Sequence, residues 1–336
     1  NSDGSVDQIS NFNLSGDSGN WVATFAGSGQ EAEYYVSSDN ALSPASISAA
    51  PAEQDLFAGP AEYLIIAHPD FVNKLRTFGV YLPSLKAQFE GADVVSTAAI
   101  YAQYNNHVVD ADAIHAYIKD AARPVSAGGR GTRTLLLVGG DTYDYHNNLG
   151  DSVSYIPSIY GKVTSGQRYI PLEGKYADIN DDNVPDLAIG RLPVTSNPEL
   201  HALLTKRALY LNRGYRDKAL FVADALDGEA QSSTDFKSAA EKARTVQYAG
   251  WAGVTDYRDD MSSTAVRNRI VNQINFGTSL VSYYGHASTG RWSHSGLFSS
   301  DDVELLNNVG APTVVAQWGC WNTYFVDPEA DSIAQS

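Results

Sequence analysis

Short strand-like runs alternate with helical stretches along most of this chain, and that alternation constrains its fold more than any other feature. Tyr63–Leu64–Ile65–Ile66–Ala67 is continuously apolar, as a strand buried on both faces must be. Asp93 to Ser96, Thr134 to Val138, Ala219 to Ala223, Gly253 to Tyr257, Ser279 to Tyr284 and Pro312 to Gln317 are the other strand-like runs. Between them the periodicity predicts helices from Pro69 to about Phe89, Asp110 to Ala122, Asn197 to Asn212, Asp235 to Ala249 and Thr264 to Asn275, with a short one near Asp301 to Asn307. Strands and helices in alternation predict an α/β fold: a doubly wound, mostly parallel sheet with helices on both faces. Asp141 to Pro185, rich in Tyr, Asn, Asp and Gly, reads as a long loop region, and no internal repeat is visible.

Residues 1–55 differ in kind. They are rich in Ser, Gly, Asn and Ala, hold strand-like pieces at Trp21 to Phe25 and Glu33 to Val36, and end in the link Ser43 to Pro51. They read as a short β-rich N-terminal segment or prodomain remnant, followed by a main domain over 56–336. The sequence stops at Ser336, just past an expected helix at Asp331 to Gln335, so the main domain is expected to lack its last α/β elements.

With 43% hydrophobic and 18% charged residues, the 336-residue chain can bury a substantial core. A net charge of -16 argues against a nucleic-acid partner, because phosphates would be repelled. No apolar run approaches a membrane span. Asn1 to Gly19 lack the charged and apolar regions of a secretory signal, so a secreted or cell-surface protein is expected to have lost its signal already. The single cysteine rules out an internal disulfide framework and leaves either a small buried hydrophobe or a reactive thiol.

In a parallel sheet, ligands bind beyond the carboxyl ends of the strands. Strand Ser279 to Tyr284 delivers Gly285–His286–Ala287–Ser288, and strand Pro312 to Gln317 delivers Trp318–Gly319–Cys320–Trp321–Asn322. If the two strands are neighbours, imidazole and thiol emerge on one edge, where the thiol can yield its proton and become a nucleophile. Gly319 allows a sharp turn that aims the N–H groups of Gly319 and Cys320 at a developing oxyanion. From the residues alone, a packed thiol and a structural histidine are the leading reading.

The segment Tyr283–Tyr284–Gly285–His286–Ala287–Ser288 resembles the Gly-His-Gly-Ser segment of the gingipain family, peptidase family C25, which has a caspase-like fold. Trp318 to Phe325 resembles the nucleophile segment of that family, and Ala61 to Phe71, Leu135 to Tyr145 and Pro185 to Pro193 resemble three further stretches in the same order. The resemblance covers about residues 55–336. It implies a secreted cysteine endopeptidase acting on proteins or peptides through Cys320 as nucleophile and His286 as base, with a thioester acyl-enzyme. Ala287 stands where the family usually has Gly, and its N–H remains available to the oxyanion.

Asp224 follows strand Ala219 to Ala223 on the same edge, near an acidic residue of the family, and is a candidate to orient the base; Asp227 competes for that role, and a cap or solvated loop is the simpler alternative. Asp235 begins a helix and so reads as an N-cap. A family member that cleaves after arginine has a specificity aspartate at a similar point, which implies a partly desolvated carboxylate beneath a basic P1 side chain. Asp178, Asn180, Asp182 and Asp186 recur at the spacing of a Ca²⁺-wrapping loop, with the Val184 carbonyl as a further ligand and Asn183 in place of the usual glycine. Family members bind calcium, which agrees with that expectation.

His68, His107, His115, His146, His201 and His294 form no close ligand pair, although His294 lies near enough in sequence to line the cleft. Ala67–His68–Pro69–Asp70 lacks a glycine-rich phosphate loop, which argues against a nucleotide enzyme. Two alternatives to an endopeptidase remain: a sortase-like transpeptidase of a secretion system, and a non-catalytic adhesion module stabilised by calcium.

Overall fold

Strands that are apolar at every position can bury both faces only if helices cover the sheet on each side. A computed structural model shows how this chain meets that demand; it describes residues 9–17, 20–27, 34, 55–56, 61–123, 131–162, 169–212, 218–225, 235–247 and 250–336. The chain divides into two units, Asn1–Ala52 and Glu53–Ser336. In the first, β1 (Phe12–Asp17) pairs antiparallel with β2 (Asn20–Phe25). Phe12 faces Phe25, Leu14 faces Ala23 and Gly16 faces Trp21, so strand alternation places these residues on one face, with Val22 opposite Ser15 on the other. Of the Glu33 to Val36 piece only Tyr34 is described, and the Ser43 to Pro51 link lies outside the described residues.

The second unit opens with β3 (Tyr63–Ala67), α1 (Pro69–Thr77), α2 (Tyr81–Gln88), β4 (Ala92–Ser96), α3 (Thr97–Tyr104), α4 (Ala111–Ala122) and β5 (Thr134–Val138). Short strands β6 (Tyr160–Gly161) and β7 (Ile170–Pro171) precede β8 (Ala188–Leu192) and α5 (Asn197–Leu211). β9 (Lys218–Ala223), α6 (Phe236–Lys242), β10 (Ala252–Tyr257), α7 (Ser263–Asn275) and β11 (Leu280–Tyr284) follow. The last elements are β12 (Ala287–Ser288), β13 (Arg291–Trp292), β14 (Phe298–Ser299), α8 (Ser300–Val303) and β15 (Val314–Trp318).

The doubly wound α/β class holds, but the strands divide between two four-stranded parallel sheets, ordered β4-β3-β5-β8 and β10-β9-β11-β15. β8 ends the first sheet, and its Arg191, 4% exposed at the side chain, pairs with Glu173 and donates to the carbonyls of Gly139 and Ile156. In both sheets alternate strand residues enter different cores. Leu220, Val222, Val281 and Tyr283 pack with Val266, Ile270 and Ile274 of α7, whereas Ala219, Phe221, Ala223 and Leu280 pack with Ala240 of α6.

Several expected elements are reshaped by local chemistry. The helix expected over Pro69 to Phe89 breaks into α1 and α2 at Gly79, whose φ of 45° lies in the left-handed region open to glycine. That expected over Asp235 to Ala249 ends as α6 at Lys242 and passes into a π-turn, Ala243–Gln247. α3 was not foreseen, and Ser96 caps it directly from the end of β4. Asp331 to Gln335 forms turns instead of a helix, because its amides bond outward: Ile333 N–H donates to Thr289 O and Ala334 N–H to Asn322 O.

Candidate active site

The second sheet has its topological switch between β9 and β11, which are neighbours although β10 separates them in sequence. Parallel pairing sets Tyr284 opposite both Ala223 and Trp318, so the three strands end level. The ladder runs one step further: Asp224 N–H donates to Tyr284 O at 2.9 Å and Gly285 N–H to Trp318 O at 3.4 Å. His286 and Cys320 each stand two residues beyond the paired Tyr284 and Trp318. The neighbouring strands required by the sequence reading are therefore present, and the two loops leave one sheet edge at the same step.

Glycines let these loops touch. A Cβ on Gly285 would meet Tyr283 Oη at 2.3 Å and Asp224 Cβ at 2.6 Å. A Cβ on Gly319 would meet Gly285 O at 2.7 Å, Asn322 Nδ2 at 2.9 Å and Ala287 Cβ at 3.1 Å. Gly319 is thus required for close approach, and the left-handed backbone expected of a sharp turn falls on Trp321 instead, with φ 64°. A bulky residue held there stores about 1–3 kcal/mol of strain, which persists where surrounding contacts overdetermine the turn.

Cys320 is exposed, so it does not serve as a packed hydrophobe. The half-buried His286 ring stands edge-on to Phe236, with centroids 5.2 Å apart, and 6.1 Å from the ring of His294. Its backbone carbonyl accepts from Tyr283 Oη at 2.6 Å and from Ser293 N–H at 2.7 Å. Burial, reinforced by the negative charge of Asp224, pushes the Tyr283 phenol well above its ordinary pKa and keeps it a donor. Tyr283 stacks on Trp292 with centroids 4.5 Å apart, and Trp292 Nε1 donates to Gln317 on β15 at 2.7 Å.

Asp224, 7% exposed, accepts from Ser293 Oγ at 2.7 Å and Ala225 N–H at 2.9 Å. Asp227 lies outside the described residues. Asp235 caps α6, accepting from Ser238 N–H at 2.9 Å and from Ser238 Oγ, and those bonds hold its carboxyl below the ordinary value. Its exposure corrects the expectation of a desolvated carboxylate: the cap uses it at the surface, one residue before Phe236. Asn322 is 3% exposed with both amide atoms unpartnered, beside Gly319. Ser293, Tyr283 and Asn322 were missed by sequence reasoning, since nothing in their spacing announces burial or a left-handed φ. A groove of about 500 Å³ between α7 and the segment around Ser295 and Asp302 lies beside the histidine loop but contains neither His286 nor Cys320.

The loop Asp178 to Asp186 wraps tightly, with Asp181 and Asn183 at φ 63° and 71°. Asp178 accepts from the N–H groups of Asp182 and Asn183, Asn180 from Asp182 N–H, Asp182 from Val184 N–H and Asp186 from Ile179 N–H. Lys175 Nζ bonds Asp178 at 3.2 Å and Asn183 at 2.7 Å. Among the described residues no three His, Cys, Asp or Glu side chains converge to hold a metal ion; the cation facing Asp178 is Lys175. His68 caps α1, and His115 bonds the carbonyl of Asp178. Among the described residues no helix is long and apolar enough to cross a membrane.

A sequence model of peptidase family C25 matches residues 58–336. Among solved structures, the Arg-specific cysteine proteinase gingipain R superposes with a TM-score of 0.60 at 21% identity, covering 81% of this chain and 57% of that one. The complex of Porphyromonas gingivalis RgpB pro- and mature domains gives 0.60 and 21%, covering 81% and 59%. A structure described as a protease gives 0.58 and 18%, covering 81% and 55%. These likenesses show a shared fold, and the chain spans less than three-fifths of each of those structures. No curated protein matches significantly.

The crowding at Gly319 yields a direct test. Gly319→Ala forces a methyl group against the Gly285 carbonyl, separating the two loops and destabilising the fold by about 1–3 kcal/mol. Denaturant unfolding measures the stability loss, and thiol alkylation rates report the displaced cysteine turn. An unchanged unfolding midpoint would show that the loops part freely.

Proposed function

This chain belongs to peptidase family C25, and on that premise we propose that it is a secreted cysteine endopeptidase using Cys320 and His286. The observation that carries the reading is the level ending of β11 and β15, which sets the histidine and cysteine loops side by side with an exposed thiol. His286 takes the thiol proton, and Sγ attacks the scissile carbonyl carbon. The N–H groups of Gly319, Cys320 and Ala287 are the proposed oxyanion donors. Collapse of the tetrahedral adduct expels the amine, which receives the proton from His286 and leaves a thioester. Water, deprotonated by His286, then attacks the thioester and releases the acid and the thiol. Cys320→Ala is expected to abolish both hydrolysis and labelling by peptidyl chloromethyl ketones while thermal unfolding changes little; turnover by the purified variant sinks the assignment.

Cleavage after basic residues is part of the proposal, with Asp235 as its determinant. Because Asp235 is exposed and already bonded to Ser238, its pull on a cationic P1 side chain is screened by water and salt. Asp235→Asn, which retains a capping side chain, is expected to lower kcat/KM after Arg or Lys only several-fold, more at low than at high ionic strength. Equal losses for paired basic and neutral P1 substrates would reduce Asp235 to a helix cap.

Calcium enters as a structural ion. Its proposed ligands are the side chains of Asp178, Asn180, Asp182 and Asp186 and the carbonyl of Val184, and it must compete with Lys175 for Asp178. Chelation is then expected to lower the unfolding temperature by mass action, and Asp182→Ala to remove the effect. Superimposable scans with and without chelator refute a calcium site.

A further inference from the structure

The geometry points to Ser293 as the positioning residue that ties Asp224 to the histidine loop and so sets where the imidazole of His286 meets Cys320; this rests on the peptidase reading above. Ser293 is 4% exposed and holds a φ of 61°, an unfavourable conformation for a residue with a side chain. Its Oγ lies 2.7 Å from Asp224 Oδ1, 2.9 Å from Ser295 Oγ and 3.0 Å from Ser295 N. An ionised carboxylate only accepts, so the Ser293 hydroxyl proton points to Asp224, and the Ser295 hydroxyl must in turn donate to Ser293. The directions are therefore set along the chain Ser295, Ser293, Asp224, ending on a buried charge where such a bond is strong.

The other end of Ser293 acts on the base. Its N–H and the Tyr283 hydroxyl occupy both lone pairs of the His286 carbonyl, which leaves that peptide little freedom to rotate. Tyr283 is held by stacking on Trp292, and Trp292 by its bond to Gln317, three residues before Cys320. One continuous brace thus joins the carboxyl ends of β9, β11 and β15. In it Asp224 acts on His286 through Ser293 and the main chain, and the strained φ is what lets one residue send its N–H to His286 and its hydroxyl to Asp224.

Glycine adopts this φ without strain, so Ser293→Gly keeps the N–H bond to His286 and deletes the hydroxyl's link to Asp224 together with its bonds to Ser295. The expected result is a fall in kcat of about ten- to a hundredfold, toward what a misplacement of about 1 Å brings, with KM nearly unchanged and no loss of thermal stability beyond a few degrees. The decisive readout is alkylation of Cys320 by iodoacetamide across pH, which follows the pairing of thiol and imidazole without a substrate. Among the described residues the titratable groups near His286 are His294, Asp224, Asp235, Tyr283 and the thiol, and of these only Asp224 loses a bond in this comparison. Ser293→Gly is expected to move the alkylation midpoint to higher pH, Asp224→Asn to move it likewise, and the double variant to move it no further than the larger single shift.

Superimposable profiles for Ser293→Gly and the parent chain, or additive shifts in the double variant, overturn the inference and leave the peptidase reading intact. A parent chain that no peptidyl ketone labels overturns the peptidase reading, while the alkylation profiles still decide the brace. If Ser293→Gly does not fold, Ser295→Ala removes the donor that feeds Ser293, and its alkylation midpoint must move in the same direction.

Discussion

The ladder of parallel backbone hydrogen bonds joining β9, β11 and β15 leaves little freedom in where Asp224, His286 and Cys320 begin. Parallel bonds are evenly spaced, so strands that end level present the residues beyond them at one height. The apolar cores on each face of the sheet hold that ladder, and a one-residue slip of any strand would turn its buried side chains toward the wrong core. The loops inherit their position from the most stable part of the molecule and need only short local contacts to set their final geometry.

Those local contacts are unfavourable one by one. Ser293 and Trp321 carry left-handed backbone, Gly285 and Gly319 are pressed against neighbouring atoms, and Asn322 keeps a buried amide without a partner. An unpaired buried amide alone costs about 1–3 kcal/mol. Strain gathers at this end of the sheet because the fully buried layer beneath it, including Val222, Val281 and Tyr283, does not give way.

The first sheet repeats the strand order of the second and shows what the same topology does when its edge is filled. At its carboxyl end Asp141 is buried and accepts from Tyr145, Tyr160, Ser154 and the N–H of Ser158. Arg191 binds Glu173 and two loop carbonyls behind it. Asp141 and Arg191 are consumed by the fold, whereas the second sheet leaves a thiol exposed at its edge. Topology supplies a place for chemistry, and the side chains at the edge decide whether it is used.

The parallel α/β class, the strand Thr134–Val138 and the helix starting at Asp110 were legible because they depend on local pattern: apolar runs demand two covered faces, and helical periodicity marks an amphipathic stretch. Residue type and the motif order shared with a family single out Cys320 and His286, and the structure adds that their loops leave one sheet edge side by side. Sequence could not show the division into two sheets, because which strands pair depends on contacts between segments far apart in the chain. Nor could it show that Asp235 is spent at the surface, that Gly319 serves close packing while Trp321 makes the turn, or that Ser293 lies between Asp224 and His286. Those facts arise where three strands separated by dozens of residues come together, and the distances that decide them exist only once the sheet has formed.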